Sequence, residues 1–155
     1  MKIMFAKTAM PARGRVAVFC SEKGELSASG QRLDKSLKGA LRRAIKAAGF
    51  EGKRESVLAL VAPSERIDSI LLVGCGDAAK LTVREVESLG AVAAANLFGG
   101  NRRQSALAAD LPGPTKISDA DVACLLASGA TLRSYAFDRY KTRNKSKNPR
   151  GDSEL

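Results

Sequence analysis

The chain has 155 residues, the size of one ordinary domain. Hydrophobic residues make up 45% of it, enough for a buried core without disulfide or metal staples, but aromatics are only 5% and Trp is absent, so Val, Leu, Ile and Ala must fill that core. There is no histidine, which excludes imidazole general-base catalysis and His-ligated metals, and the net charge of +10 admits a polyanionic or acidic partner.

Residues 2–7 (KIMFAK) alternate with period two and predict a strand, followed by a turn around Pro11 and Gly14. Residues 15–20 (RVAVFC) are apolar on both faces and predict a strand buried on both sides. From Ser29 to Ala48 the period changes. Leu33, Leu37, Leu41 and Ile45 recur every four residues and predict one helix, with Gly49 past its end. Residues 56–62 (SVLALVA) and 69–75 (SILLVGC) predict two more buried strands.

Thr82 and Glu85 form a capping box, so a helix starts there and runs to Leu97. Its expected inner stripe is Val83, Val86, Gly90, Ala93 and Leu97, with small residues that suit close packing on a sheet. Residues 104–109 predict a weak strand. Ser118, with Asp119 and Asp121 suited to the positive end of the dipole, starts a last helix with Val122, Leu125, Gly129 and Leu132 inward. Strands alternating with helices predict an α/β fold with a mixed, mostly parallel sheet. The domain is expected over 1–140, with a basic linker over 141–155.

The three cysteines, Cys20, Cys75 and Cys124, are far apart and show no CxxC spacing, which predicts buried, reduced thiols. No apolar run approaches the ~18 residues of a spanning helix and no signal-peptide pattern is present, so a cytoplasmic location away from membranes is expected.

Candidate chemistry is sparse. Asp119 with Asp121, and Glu85 with Glu87, read as helix-start acids, neither pair as an acid/base couple. Gly74-Cys75-Gly76-Asp77-Ala78-Ala79 fits the looser dinucleotide pattern after a strand. That chemistry needs a helix N-terminus at the turn, and the capping box places it at Thr82. The main reading is therefore a tight strand-ending turn, with a small-ligand site at Gly74, Gly76 and Asp77 as the alternative. Lys35, Lys38, Arg42 and Lys46 recur at spacings of three and four and would form one basic stripe on a continuous helix. A solvated face explains such a stripe, and phosphate contacts to DNA are the alternative. The tail from Arg139 to Arg150 carries six basic residues and no acid, as a solvated linker or a basic arm would.

Three stretches carry a family likeness: Leu33-Asp34 through Leu41 with Phe50-Glu51-Gly52-Lys53; Arg66 through Ile70-Leu71-Leu72-Val73-Gly74-Cys75-Gly76; and Leu132-Arg133-Ser134-Tyr135 through Thr142. On these residues the chain resembles the N-terminal domain of the leucyl aminopeptidases, two-metal cytosolic exopeptidases. The resemblance implies a macro-domain-like three-layer sandwich placed before a C-terminal catalytic domain. It implies a parent enzyme that removes N-terminal residues from peptides, preferring leucine, and that assembles as a hexamer. Two divalent ions, manganese, zinc or magnesium, would activate a bridging water in that parent. The family's N-T-D-A-E-G-R motif does not occur here, so no catalytic or metal-binding residue is carried to any position of this chain.

Overall fold

The computed structural model describes residues 3–6, 13–97 and 105–141, with side chains through Tyr135. Arg15–Cys20, apolar on both faces, occupies the middle of a sheet: β1 (Gly14–Ser21) is buried almost throughout. On one side it pairs in parallel with β3 (Ile67–Gly76), on the other in parallel with β4 (Ser105–Leu107). β2 (Val57–Val61) pairs antiparallel with β3, giving the order β2-β3-β1-β4. The sheet is thus mixed and mostly parallel, as the sequence pattern implied.

Two expectations for strands fail. Residues 3–6 are irregular and exposed, and pair with no strand among the described residues. Their period-two pattern has no neighbour among the described residues to supply ladder hydrogen bonds. β2 is not buried on both faces but lies at the sheet edge: Leu58 and Leu60 point into the core, while Val57, Ala59 and Val61 are exposed, Val61 by 82%. An unbroken apolar run cannot distinguish an edge strand from a central one.

The helix expected over Ser29–Ala48 is two helices, α1 (Ala28–Ser36) and α2 (Ala40–Ala48). Asp34 breaks it. The side chain is buried, and its Oδ1 accepts hydrogen bonds from the backbone N–H of Leu41 at 2.9 Å and Arg42 at 3.2 Å, so it caps α2 from within α1. Lys38 and Gly39 between them have positive φ, 53° and 79°. The apolar period survives the break: Leu33 and Leu41 are buried, and Leu37 and Ile45 pack against the same cluster.

α3 (Val83–Leu97) starts where the capping box places it. Thr82 N–H donates to Glu85 Oε2 at 2.7 Å, and Glu85 N–H donates to Thr82 Oγ1 at 3.4 Å. α4 (Asp119–Lys141) begins after Ser118, whose Oγ accepts from Asp121 N–H at 3.2 Å. α1 and α2 cover one face of the sheet over Val16, Val18, Ile70 and Leu72. α3 and α4 cover the other over Ala17, Phe19, Leu71 and Val73, completing three layers. Each fully buried Leu or Phe among these contributes roughly 2 kcal/mol.

The inner stripe of α4 is rotated from the expected one, whereas on α3 Val86, Gly90, Ala93 and Leu97 of the expected stripe are buried and only Val83 is not. On α4 the buried positions are Val122, Leu126, Gly129 and Ala130, with Leu125 at the margin and Leu132 exposed. On α3, Val86, Leu89, Gly90, Ala93, Ala94 and Leu97 are buried, and Val83 at the first turn is exposed. Gly90 serves contact with α4 rather than with the sheet: a Cβ there would lie 2.1 Å from the Leu126 carbonyl oxygen. Cys124, expected buried, is exposed on α4, whereas Cys20 and Cys75 are buried.

Candidate functional site

β1 and β3 end together at Ser21 and Gly76, and the glycine turn Gly74–Asp77 sits at that end. Gly76 has φ +69°, which favours glycine. The backbone groups a phosphate would need are already engaged. Gly74 N–H donates to the Ser56 carbonyl at 2.8 Å, Gly76 N–H to the Gly52 carbonyl at 3.1 Å, and the Gly74 carbonyl accepts from Glu55 N–H at 2.9 Å. The segment Gly52–Ser56 thus lies directly over the turn, and a Cβ on Gly74 would be 2.1 Å from the Lys53 carbonyl oxygen.

Asp77 is engaged as well. Its Oδ1 accepts from Ala79 N–H at 3.1 Å, and its Oδ2 lies 3.2 Å from Lys80 Nζ. The Lys80 contact first, then the Ala79 N–H, hold this carboxyl below its usual range. A short 3₁₀ turn, Ala78–Lys80, separates it from α3. The N-terminus of α3 is occupied by its own Glu85, whose carboxyl is lowered chiefly by the Thr82 N–H and hydroxyl, and then by Arg54. Arg54 pairs with Glu85, and Ser88 Oγ donates to Glu55 Oε1 at 2.6 Å, clasping the covering segment to α3. Sequence patterns alone do not single out Arg54 and Glu55. Gly52, which lies in the first family-like stretch, has φ +65°, and its Cβ would meet the Ser21 carbonyl oxygen at 2.0 Å.

Lys35, Lys38, Arg42 and Lys46 are all exposed, but the break at Lys38–Gly39 keeps them from forming a stripe on one helix. Arg42 Nε lies 3.4 Å from Asp34 Oδ2. Arg32 and Arg43 are exposed on the same two helices. The basic tail beyond Lys141 lies outside the described residues.

Three further acids serve structure. Glu87 Oε1 accepts from Ser128 Oγ at 2.6 Å, tying α3 to α4. Asp121 Oδ2 accepts from Ser118 Oγ at 2.6 Å, and Asp34 caps α2. Among the described residues no group of three or more His, Cys, Asp or Glu side chains is placed to share a metal ion. The donors among the described residues therefore do not fit a two-metal centre. Neither buried thiol is a neutral-pH nucleophile. Burial first, then Glu25, pushes Cys20 up to about 11, and burial first, then Cys20, pushes Cys75 up to about 12. Among the described residues no helix is long and apolar enough to cross a membrane.

Residues 16–144 match the family described as "Cytosol aminopeptidase family, N-terminal domain". A protein of Rhodopseudomonas palustris named "Probable cytosol aminopeptidase" is 34% identical over 146 residues, covering 94% of this chain and 29% of its own length. A protein of the same name from Nitrobacter winogradskyi is 35% identical over 147 residues, again covering 94% of this chain and 29% of its own. Among solved structures, a tomato leucine aminopeptidase mutant superposes with a TM-score of 0.62 at 23% identity, covering 97% of this chain and 29% of that one. The bottromycin maturation enzyme BotP in complex with Mn superposes with a TM-score of 0.59 at 21% identity, covering 85% of this chain and 25% of that one. These two establish the likeness of fold. The chain spans about 29% of the length of the curated relatives it matches.

Proposed function

This chain belongs to the cytosol aminopeptidase family as its N-terminal domain, and from that premise we propose that it is the non-catalytic accessory domain of a metal-dependent aminopeptidase. One observation carries the reading: the match runs over most of the chain, yet it accounts for under a third of each relative and includes no histidine. Peptide hydrolysis through paired cations needs clustered ligands and a proton carrier. Asp34, Glu55, Glu85, Glu87 and Asp121 instead cap helices or join elements. In this proposal the two divalent ions, the preference for leucine and the hexamer belong to the longer protein, and this domain contributes to assembly. No step of the reaction is assigned to its residues.

The proposal predicts how the isolated chain behaves toward manganese. Calorimetric titration with Mn²⁺ should show no saturable binding in the micromolar range. A stoichiometric micromolar site, lost when Asp or Glu residues of this chain are replaced, would overturn it.

A further inference from the structure

α3 and α4 run antiparallel in a register fixed by their contacts. Gly90 lies against Leu126, Gly129 lies against Glu87, and Ser128 donates to Glu87. Extending that register puts Val83, the first residue of α3, level with Leu132. The nine residues Arg133–Lys141 then continue past α3, about 13 Å of helix at ~1.5 Å per residue. The overhang leaves the domain at the end where β1 and β3 stop, because α3 starts there.

Three exposed apolar side chains lie at this level or just beyond it. Val83 is 57% exposed, Leu132 61% and Tyr135 74%. Leu132 and Tyr135, three residues apart, share one side of α4, rotated away from the row Val122, Leu126 and Gly129 that packs on α3. α4 therefore carries a second apolar row, uncovered among the described residues. Arg84 and Arg133 are exposed next to it in sequence.

We propose that Val83, Leu132 and Tyr135 seat the catalytic domain that lies C-terminal to this one in the longer family members. This rests on the accessory-domain reading above. The relatives extend well beyond the aligned part, the family match continues to residue 144, and the overhanging helix is the element that points out of this domain at its C-terminal end. The surface that docks here is apolar at its centre, with carboxylates around it to meet Arg84 and Arg133.

Thiol labelling tests the proposal. Cys124→Ser removes the exposed native thiol, while Cys20 and Cys75 stay buried and report on folding. Tyr135→Cys or Leu132→Cys is then labelled with a maleimide, first in this chain alone and then in this chain joined to the remainder of the Rhodopseudomonas palustris relative. Joining should slow labelling at both positions by about tenfold or more, as expected for a site reached only through local opening. Supplying the remainder as a separate chain should give the same protection, so the result does not hang on the junction. Equal rates alone and with the remainder, with Cys20 and Cys75 still unlabelled, overturn the proposal. So does protection that appears at Val61→Cys and not at Tyr135→Cys. If the isolated chain itself hydrolyses peptides, the accessory-domain reading fails. If it is inert but labels equally in both settings, only the docking proposal fails.

Discussion

Gly129→Ala should destabilise the domain by about 3 kcal/mol, although the same change at an exposed helix position stabilises by about 1 kcal/mol. The sign reverses because of what faces Gly129. A Cβ there would lie 1.8 Å from the Glu87 carbonyl oxygen and 3.0 Å from the Ala91 nitrogen, and both are backbone atoms of α3. A rotamer change cannot relieve the clash, so the helices must separate. Separation would loosen the packing of Val122 and Leu126 against Val86, Leu89 and Ala93, which are fully or almost fully buried. It would also stretch the Ser128–Glu87 hydrogen bond. At roughly 2–4 °C per kcal/mol for a domain of this size, the midpoint of thermal unfolding should fall by about 10 °C. Gly90→Ala, facing the Leu126 backbone, should behave alike, and the two changes should not add, because the separation of α3 from α4 forced by either one also relieves the clash of the other. A midpoint equal to or above that of the unchanged chain would show that the helices do not approach this closely.

Gly74→Ala should have an effect at least as large, because the added methyl meets three atoms at once. The Lys53 carbonyl oxygen would lie 2.1 Å away, Ser56 Oγ 2.4 Å and the Gly52 carbonyl carbon 2.6 Å. The covering segment would have to lift, breaking the hydrogen bonds from Gly74 N–H to Ser56 and from Gly76 N–H to Gly52. The buried N–H groups left without partners add roughly 1–3 kcal/mol each to the cost. Loss of about 3 kcal/mol or more is expected, read as an earlier midpoint in urea with the slope unchanged. Such a loss would assign the G-x-G turn to structure, since a ligand-binding turn left open would accept the methyl with little change in stability. An unaltered urea midpoint would mean that Gly52–Ser56 does not rest on the turn.

Much of this architecture is legible from local signals. The apolar cores of β1 and β3 are fully enclosed, and both helix starts, Thr82 with Glu85 and Ser118 with Asp121, bond as their spacing implies. The features that are not legible depend on contacts distant in sequence. Asp34 reads as an ordinary helical residue until its carboxylate is seen to cap α2 seven residues later. β2 and a central strand have the same apolar pattern, and only the sheet order reveals the edge. Leu125 and Leu132 are in phase for an inner stripe, but α4 is rolled toward Leu126 and Ala130 by the close approach at Gly129. At the candidate turn the glycines are visible in sequence. Their purpose is not, because Gly52–Ser56, which covers them, comes from before β2.

Hydrolysis of a leucyl p-nitroanilide by the purified chain, measured with manganese, zinc or magnesium supplied in turn, tests the accessory-domain account most directly. An accessory domain should give release at the rate of buffer and metal alone at every protein concentration. Metal-dependent turnover that rises in proportion to this chain, and persists through repeated purification, would contradict that role.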